Sequence, residues 1–390
     1  MRRFFSRLFS LVFVAVSLFG CSGGGGILPA AQAAAPAAPL NATNNTPSSA
    51  GAGSANSAGA TDFQAVASSL ASSQRADGAI PYTRTVVNPY FANIAATGAA
   101  RTGQDATSVR QWIAWYVLRS RDANPWGIAG AITDYTIQKN GTLQSSGSAD
   151  SVDAYAATFL TLVATTWQFG DANARAYVQS IQSDVNRIAS AIDAVTDSDG
   201  LTWALPTYQM KYVMDASEVY AGLNDLATLR SAAYGDLAGA LAASQHAATV
   251  RAAIVGKYWS ATRGTFAVAI DATGAATLPD PASWADTMTQ LAPILHGVIA
   301  PSASMSAGIY SRFNTAFPSW TSLIKPDEYP WASVAFVALL MNDAPRAAAY
   351  RQAVDAVYVP QFVYPWYCAE TGWYLRVIDG IITPQMVAAD

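Results

Sequence analysis

The chain has 390 residues, 22 Lys and Arg against 26 Asp and Glu for a net charge of −4, and 52% hydrophobic residues. An acidic balance without Lys/Arg clusters excludes nucleic acid and anionic lipid headgroups as partners. Two cysteines, Cys21 and Cys368, and two histidines, His246 and His296, match no metal or triad spacing, so no metal or cofactor is expected and each histidine reads as a structural helix residue.

Arg2, Arg3 and Arg7 precede an apolar run from Leu8 to Phe19, and Leu18-Phe19-Gly20-Cys21 follows. A basic start, a short apolar core and small residues before a cysteine predict a bacterial lipoprotein leader over residues 1–20, with Cys21 lipidated. The run falls short of the roughly 20 residues that span a bilayer. Residues 21–61 are almost all Gly, Ala, Ser, Pro, Asn and Thr, which predicts a flexible tether from an envelope membrane. Three of the 22 basic residues and no acidic one lie in the leader, leaving 19 against 26 and a mature charge of −7.

Residues 62–390 form one predicted domain of helices. Apolar periodicity and caps place them at about 62–75, 89–101, 105–121, 150–169, 171–195, 215–229, 235–257, from 286, 302–317, from 328 and 344–358, with a weakly marked twelfth after the aromatic tail. Two segments read as β hairpins, one turning at Lys139-Asn140-Gly141 and one at Ala272-Thr273-Gly274. Connections into helices two, four, six, eight and ten are long, whereas those leaving them are mostly short. Short loops at one end and long ones at the other mean helical hairpins side by side, with the elaboration on one face.

Two stretches share one pattern: D-S-V-D-A-Y from Asp150 and D-A-S-E-V-Y from Asp215. In each, a carboxylate recurs at position four, on the same helix face as the first, and a Tyr at position six, Tyr155 and Tyr220. The first carboxylates, Asp150 and Asp215, read as N-caps; the fourth-position residues, Asp153 and Glu218, read either as partners in a capping box or as groups entering a cavity. Glu is scarce: Glu218, Glu328 and Glu370 are the three in the sequence, and each stands beside aromatics.

This layout of about twelve alternating helices resembles the six-hairpin glycosidases, the (α/α)6 toroids, from Asp62 onward. The resemblance implies an all-α toroid of six helical hairpins with small β-hairpin insertions on one face. It also implies a glycosidase that cleaves an oligo- or polysaccharide, an exopolysaccharide being one such substrate, with inversion as the default outcome. That chemistry needs one protonated carboxylic acid and one ionised carboxylate. The expected pair is Glu218 as acid and Asp153 as base, with Asp150, Asp215 and Asp286 holding sugar hydroxyls; Asp134 and Glu370 are further candidates. Aromatic faces cover the C–H faces of sugar rings, and Tyr155, Tyr220, Trp126, Tyr208, Trp284, Trp331 and Trp373 are the expected binders. The protein is expected to act as a monomer, lipid-anchored in the cell envelope. Two alternatives stay open: a non-catalytic glycan-binding or polysaccharide-export lipoprotein, and a polysaccharide lyase, which four Lys and no His on the long-loop face make less favourable.

Overall fold

The computed structural model describes residues 56–382 apart from position 104. The leader, Cys21 and the tether up to residue 55 lie outside the described residues. Fourteen α-helices appear among the described residues: α1 (Asn56–Ser73), α2 (Pro89–Arg101), α3 (Ala106–Arg119), α4 (Asp153–Phe169), α5 (Ala172–Ser180), α6 (Gln182–Val195) and α7 (Val213–Thr228). They continue with α8 (Leu237–Ala253), α9 (Trp284–Thr289), α10 (Ala292–Leu295), α11 (Ser304–Ala316), α12 (Ala332–Leu340), α13 (Ala344–Tyr358) and α14 (Cys368–Ile382).

Six of these pack in a closed ring, α2 on α4, α4 on α7, α7 on α10, α10 on α12, α12 on α14 and α14 back on α2. Five others back this ring: α1 against α14, α3 against α2, α6 against α4, α8 against α7 and α13 against α12. This is the all-α toroid that the loop pattern predicts. Inner helices are apolar all round, as a ring covered on both sides requires; α12 reads A-S-V-A-F-V-A-L-L with all but its last residue buried.

Small residues let the inner helices approach closely. A Cβ added at Gly98 of α2 would lie 2.1 Å from the carbonyl oxygen of Gly372 in α14, and one at Gly222 of α7 would lie 2.7 Å from that of Ala157 in α4. Between the rings Trp112 stacks on Trp115 at 4.9 Å and Tyr116 on Phe159 at 4.2 Å. Polar groups also occupy the ring interior: Thr161 donates to Asp225 at 2.6 Å, and Arg376 and His296 are buried. Burial pulls the Arg376 guanidinium down to about 9 and pushes the Asp225 carboxyl up to about 7.

Three small sheets decorate the long-loop face. The first pairs β1 (Val86–Val87) with β2 (Tyr135–Ile137) and β2 with β3 (Leu143–Ser145), Val87 opposite Tyr135 and Tyr135 opposite Ser145. The second brings β4 (Met210–Tyr212) beside the distant β7 (Ala269–Asp271), Tyr212 opposite Ala269, with β8 (Ala276–Thr277) on the far edge. A two-stranded ribbon joins β5 (Trp259–Ser260) to β6 (Thr265–Phe266). Both expected hairpin turns are present.

Several boundaries differ from expectation, and the fifth expected helix is divided at Ile181 into α5 and α6. The first helix begins at Asn56 instead of Asp62, so the helix reaches into the expected tether. The eighth expected helix is two short pieces, α9 and α10, because Pro293 in the first turn of α10 has no N–H to continue the preceding helix. The weakly marked twelfth helix is the well-formed α14, which completes the ring.

Candidate active site

Helix hairpins that alternate direction bring the N-termini of α2, α4 and α7 to the long-loop face, and the carboxylates singled out in the sequence meet there. Asn88 caps α2, its Oδ1 accepting from the Phe91 N–H at 3.0 Å, while its Nδ2 donates to Tyr155 Oη at 2.8 Å. Tyr155, in the first turn of α4, passes the chain on by donating to Asp134 Oδ1 at 2.9 Å. Tyr90, two residues into α2, donates to Glu218 Oε1 at 2.5 Å. One cap and two phenols thus tie three inner helices into one floor.

The twin stretches do not sit in the same helical register. Helix α4 starts at Asp153, so Asp150 precedes the helix; α7 starts at Val213, so Asp215 is its third residue. The cap positions are Val152 and Tyr212, and neither makes a side-chain cap bond. The N-cap roles expected for Asp150 and Asp215 are therefore corrected: one lies before its helix and the other inside it. The spatial counterparts are Asp153 and Asp215, each in the first turn of its helix.

Asp153 is 0% exposed. Thr202 Oγ1 donates to its Oδ2 at 2.6 Å and the Ala154 N–H to its Oδ1 at 2.8 Å. Thr202 is held in turn by a clamped loop, in which the Val152 N–H donates to Ala204 O at 2.7 Å. In the same loop the buried Lys211 Nζ pairs with Asp197 at 2.6 Å and Asp199 at 2.8 Å and sits 4.0 Å from the Trp203 ring centre. Glu218 is 2% exposed and Asp215 is buried. Asp150 is exposed and Asp134 half-exposed, so solvent reaches the floor at these two carboxyls. Tyr208 and Tyr212, whose hydroxyls lie 3.0 Å apart, stand close enough to feel the Asp150 charge.

All four aspartates are pushed toward the protonated form. Burial lifts Asp134 to about 7, partly opposed by the Tyr155 hydroxyl and aided by the Asp150 charge. Burial lifts Asp153 to about 6 against the Thr202 and Ala154 donors. Asp150 is raised by the protein around it, and Asp215 is raised well above the usual carboxylate range by burial and then by the charges of Asp153 and Asp150. No ion pair reaches any of the four among the described residues. Among the same residues no three His, Cys, Asp or Glu side chains converge as a metal-ion site. Raised pKa values therefore answer the crowding of negative charge, and unequal shifts leave acid and base forms available at one pH.

This has a consequence for stability. Folded pKa values above the unfolded carboxylate value favour folding fully below about pH 4, and that contribution is lost as pH rises through the folded values. For Asp153 the loss runs from about pH 4 up to about 6, and for Asp225 from about pH 4 up to about 7. The lowered carboxyls Asp184 and Asp343 exert their effect below that window. Denaturant midpoints are expected to be higher at about pH 5 than at about pH 8; a flat or opposite trend would show that the floor is ionised.

Other expected residues lie elsewhere. Trp284, Trp331 and Trp373 are buried, and their binder roles are corrected: Trp284 packs 6.3 Å from Trp331 and 5.0 Å from Phe317, and Trp373 packs 5.9 Å from Phe336 under the Arg376 guanidinium. These rings are spent between helices. Asp286 accepts from the Asp280 N–H at 2.9 Å, a local turn contact outside the floor. Among the described residues Trp126 and Tyr220, both half-buried, share no hydrogen bond or ring contact with the floor carboxylates. Glu370 accepts from the Trp331 and Ala332 N–H groups at 3.1 and 2.8 Å, capping the neighbouring helix α12. Glu328 is exposed and accepts from Tyr364 Oη at 2.5 Å. Neither Thr202 nor Asn88 gave a sequence signal as a site residue.

No protein-family model matches the sequence, and no curated protein sequence matches it. Solved structures are similar to it in fold. A structure described as a wild-type glycosidase superposes with a TM-score of 0.60 at 15% identity, over 84% of this chain and 99% of its own. A GH63 mannosylglycerate hydrolase from Thermus thermophilus in complex with glucose gives 0.57 at 10% identity, over 80% and 99%. A rhamnosidase from Klebsiella oxytoca with rhamnose bound gives 0.52 at 13%, over 82% and 64%. The chain therefore has the six-hairpin (α/α)6 fold that these glycosidases share.

Proposed function

We propose that this protein is a glycoside hydrolase that cuts an oligo- or polysaccharide on the long-loop face. The observation that carries the reading is the convergence of Asp134, Asp150, Asp153 and Asp215 around the ends of adjacent inner helices, with Asp150 open to solvent. The glycosidase fold of the similar structures supports it.

In the reaction, Asp134 is the acid. Its carboxyl holds a proton near neutrality and gives it to the glycosidic oxygen as the bond to the anomeric carbon breaks. Asp150 is the base. It takes a proton from a water whose oxygen bonds to that carbon, so one water is consumed and two sugar ends are released. Inversion at that carbon is the expected outcome. Glu218 and Asp153, the pair expected from the sequence, are buried and held by Tyr90 and Thr202; in this reading they set the position and charge of Asp134 and Asp150.

Incubation with a panel of β- and α-linked glycans, read as new reducing ends, tests the function. Wild type is expected to release ends from at least one glycan, and Asp134→Asn to release about 10² to 10⁴-fold fewer per unit time. If Glu218→Gln abolishes release and Asp134→Asn does not, Glu218 is the acid. Release from none would leave the non-catalytic glycan-binding reading. The lipid anchor at Cys21 belongs to the same proposal, and Cys21→Ala is expected to move the protein from the membrane to the soluble envelope fraction.

A further inference from the structure

We infer that the sugar received at this floor carries a free amino group, so that the substrate is a glucosamine-type oligo- or polysaccharide and not a uronate or other anionic glycan. The inference rests on the glycan reading above and names the class of glycan.

The geometry gives the floor one sign of charge. Asp150 is exposed and Asp134 half-exposed, the Asp150 N–H and Asp134 Oδ1 both meeting the Tyr155 hydroxyl, and Asp215, Asp153 and Glu218 are buried. The basic groups nearest in the fold are committed elsewhere: Lys211 is buried between Asp197 and Asp199 over Trp203, and Lys325 is buried against Asp327. The charge acting on Asp134 is that of Asp150, and those acting on Asp215 are Asp153 and Asp150, while Asp150 is raised by desolvation. The exposed Arg84 and Lys139 sit in surface turns of the same face. A carboxylate or sulfate on the ligand would push these raised carboxyls further toward the protonated form and find no partner of opposite sign in them. An ammonium would pair with the Asp150 carboxylate and favour the ionised form of the carboxyls beside it.

A second observation points the same way. Tyr258, on the wide turn that ends α8, is 2% exposed and its hydroxyl has no hydrogen-bond partner among the described residues. The charges that bear on that hydroxyl are those of the floor carboxyls Asp215 and Asp153, and of Asp199 in the Lys211 cluster, so it lies near the floor. A buried, unpartnered hydroxyl beside several carboxylates is a group awaiting a polar ligand or water, since leaving it unmade costs about 1 to 3 kcal/mol. Tyr208 and Tyr212 add half-buried rings near Asp150, which suit the apolar face of a pyranose whose amine turns to the carboxylate.

An amine with a pKa near that of an α-amino group, about 8, is charged at about pH 6. The full-length protein is therefore compared at about pH 6 on glucosamine tetramers, the same tetramers fully N-acetylated, and uronate tetramers, by reducing-end release and by calorimetry. The glucosamine tetramer is expected to be cut with a kcat/KM about tenfold or more above its N-acetylated form, and the uronate not at all. Asp150→Asn is expected to weaken glucosamine-tetramer binding about tenfold and N-acetylated binding less than about twofold. Cutting of neutral or N-acetylated glycans with equal or greater efficiency overturns the inference and leaves the hydrolase standing. Tenfold tighter binding of the glucosamine tetramer without any cutting keeps the inference and overturns the hydrolase. Equal binding of all three tetramers without cutting overturns both.

Discussion

Gly98→Ala is expected to open the toroid where α2 meets α14, lowering the stability of the fold by about 3 kcal/mol. The new methyl would stand 2.1 Å from Gly372 O and 2.5 Å from Gly372 Cα, both of them backbone. No rotamer change can relieve that, because the atoms in the way belong to a helix axis. Nor can α2 move aside, since its other flank is packed on α4. The reverse substitution meets the same wall: a Cβ at Gly372 would lie 2.2 Å from Ile94 O. Gly256 is the control. Its Cβ would meet nothing within 4 Å and its backbone does not require glycine, so Gly256→Ala should stay within about 1 kcal/mol of wild type. Denaturant titration followed by circular dichroism compares the three chains; a Gly98→Ala midpoint equal to that of wild type would refute close packing at this crossing.

The second large effect is on turnover. Asp150→Asn removes the solvent-reached carboxylate while keeping its size and its place before α4, so the fold should survive. A lost general base costs about 10² to 10⁴-fold in kcat. Wild type and variant should melt closely together, because among the described residues no ion pair reaches Asp150 and the residue is exposed. The pH profile adds a sharper test. With Asp134 raised to about 7 by burial, its protonated fraction falls above that value, and wild-type activity should decline on the alkaline side near it. A variant that keeps a rate within about threefold of wild type would take Asp150 out of the chemistry.

Much of this architecture is legible in the residues. Alternating long and short connections predict hairpins with one decorated face, because a short link forces antiparallel neighbours. The inner or outer place of each helix follows from how much of its circumference is apolar. Three things were not legible, each for a physical reason. Periodicity does not say which way a loop-adjacent ring turns, so Trp331 and Trp373 read as surface binders although both fill space between helices. Identical short patterns do not fix helical register: the start of α4 is set by Val152 bonding to Ala204, across the fold, and the start of α7 by strand β4 beside β7. The partners of the carboxylates, Thr202, Asn88 and Tyr90, come from segments far apart in sequence, and nothing local marks them.

The crossing of α2 and α14 also bears on how the chain reaches its native state. The helices that carry the acidic floor, α2, α4 and α7, are consecutive in the inner ring, so their contacts can form among neighbours in sequence. The contact that makes the ring a ring joins its first and last members, and the entropy of bringing such distant segments together must be met before any of that contact is gained. Assembly is therefore expected to run round the toroid and close last at the glycine crossing, so that amides of α14 exchange with solvent sooner than those of α4 in a native-state hydrogen-exchange series. The half that carries the acidic floor would then be built before the barrel is shut.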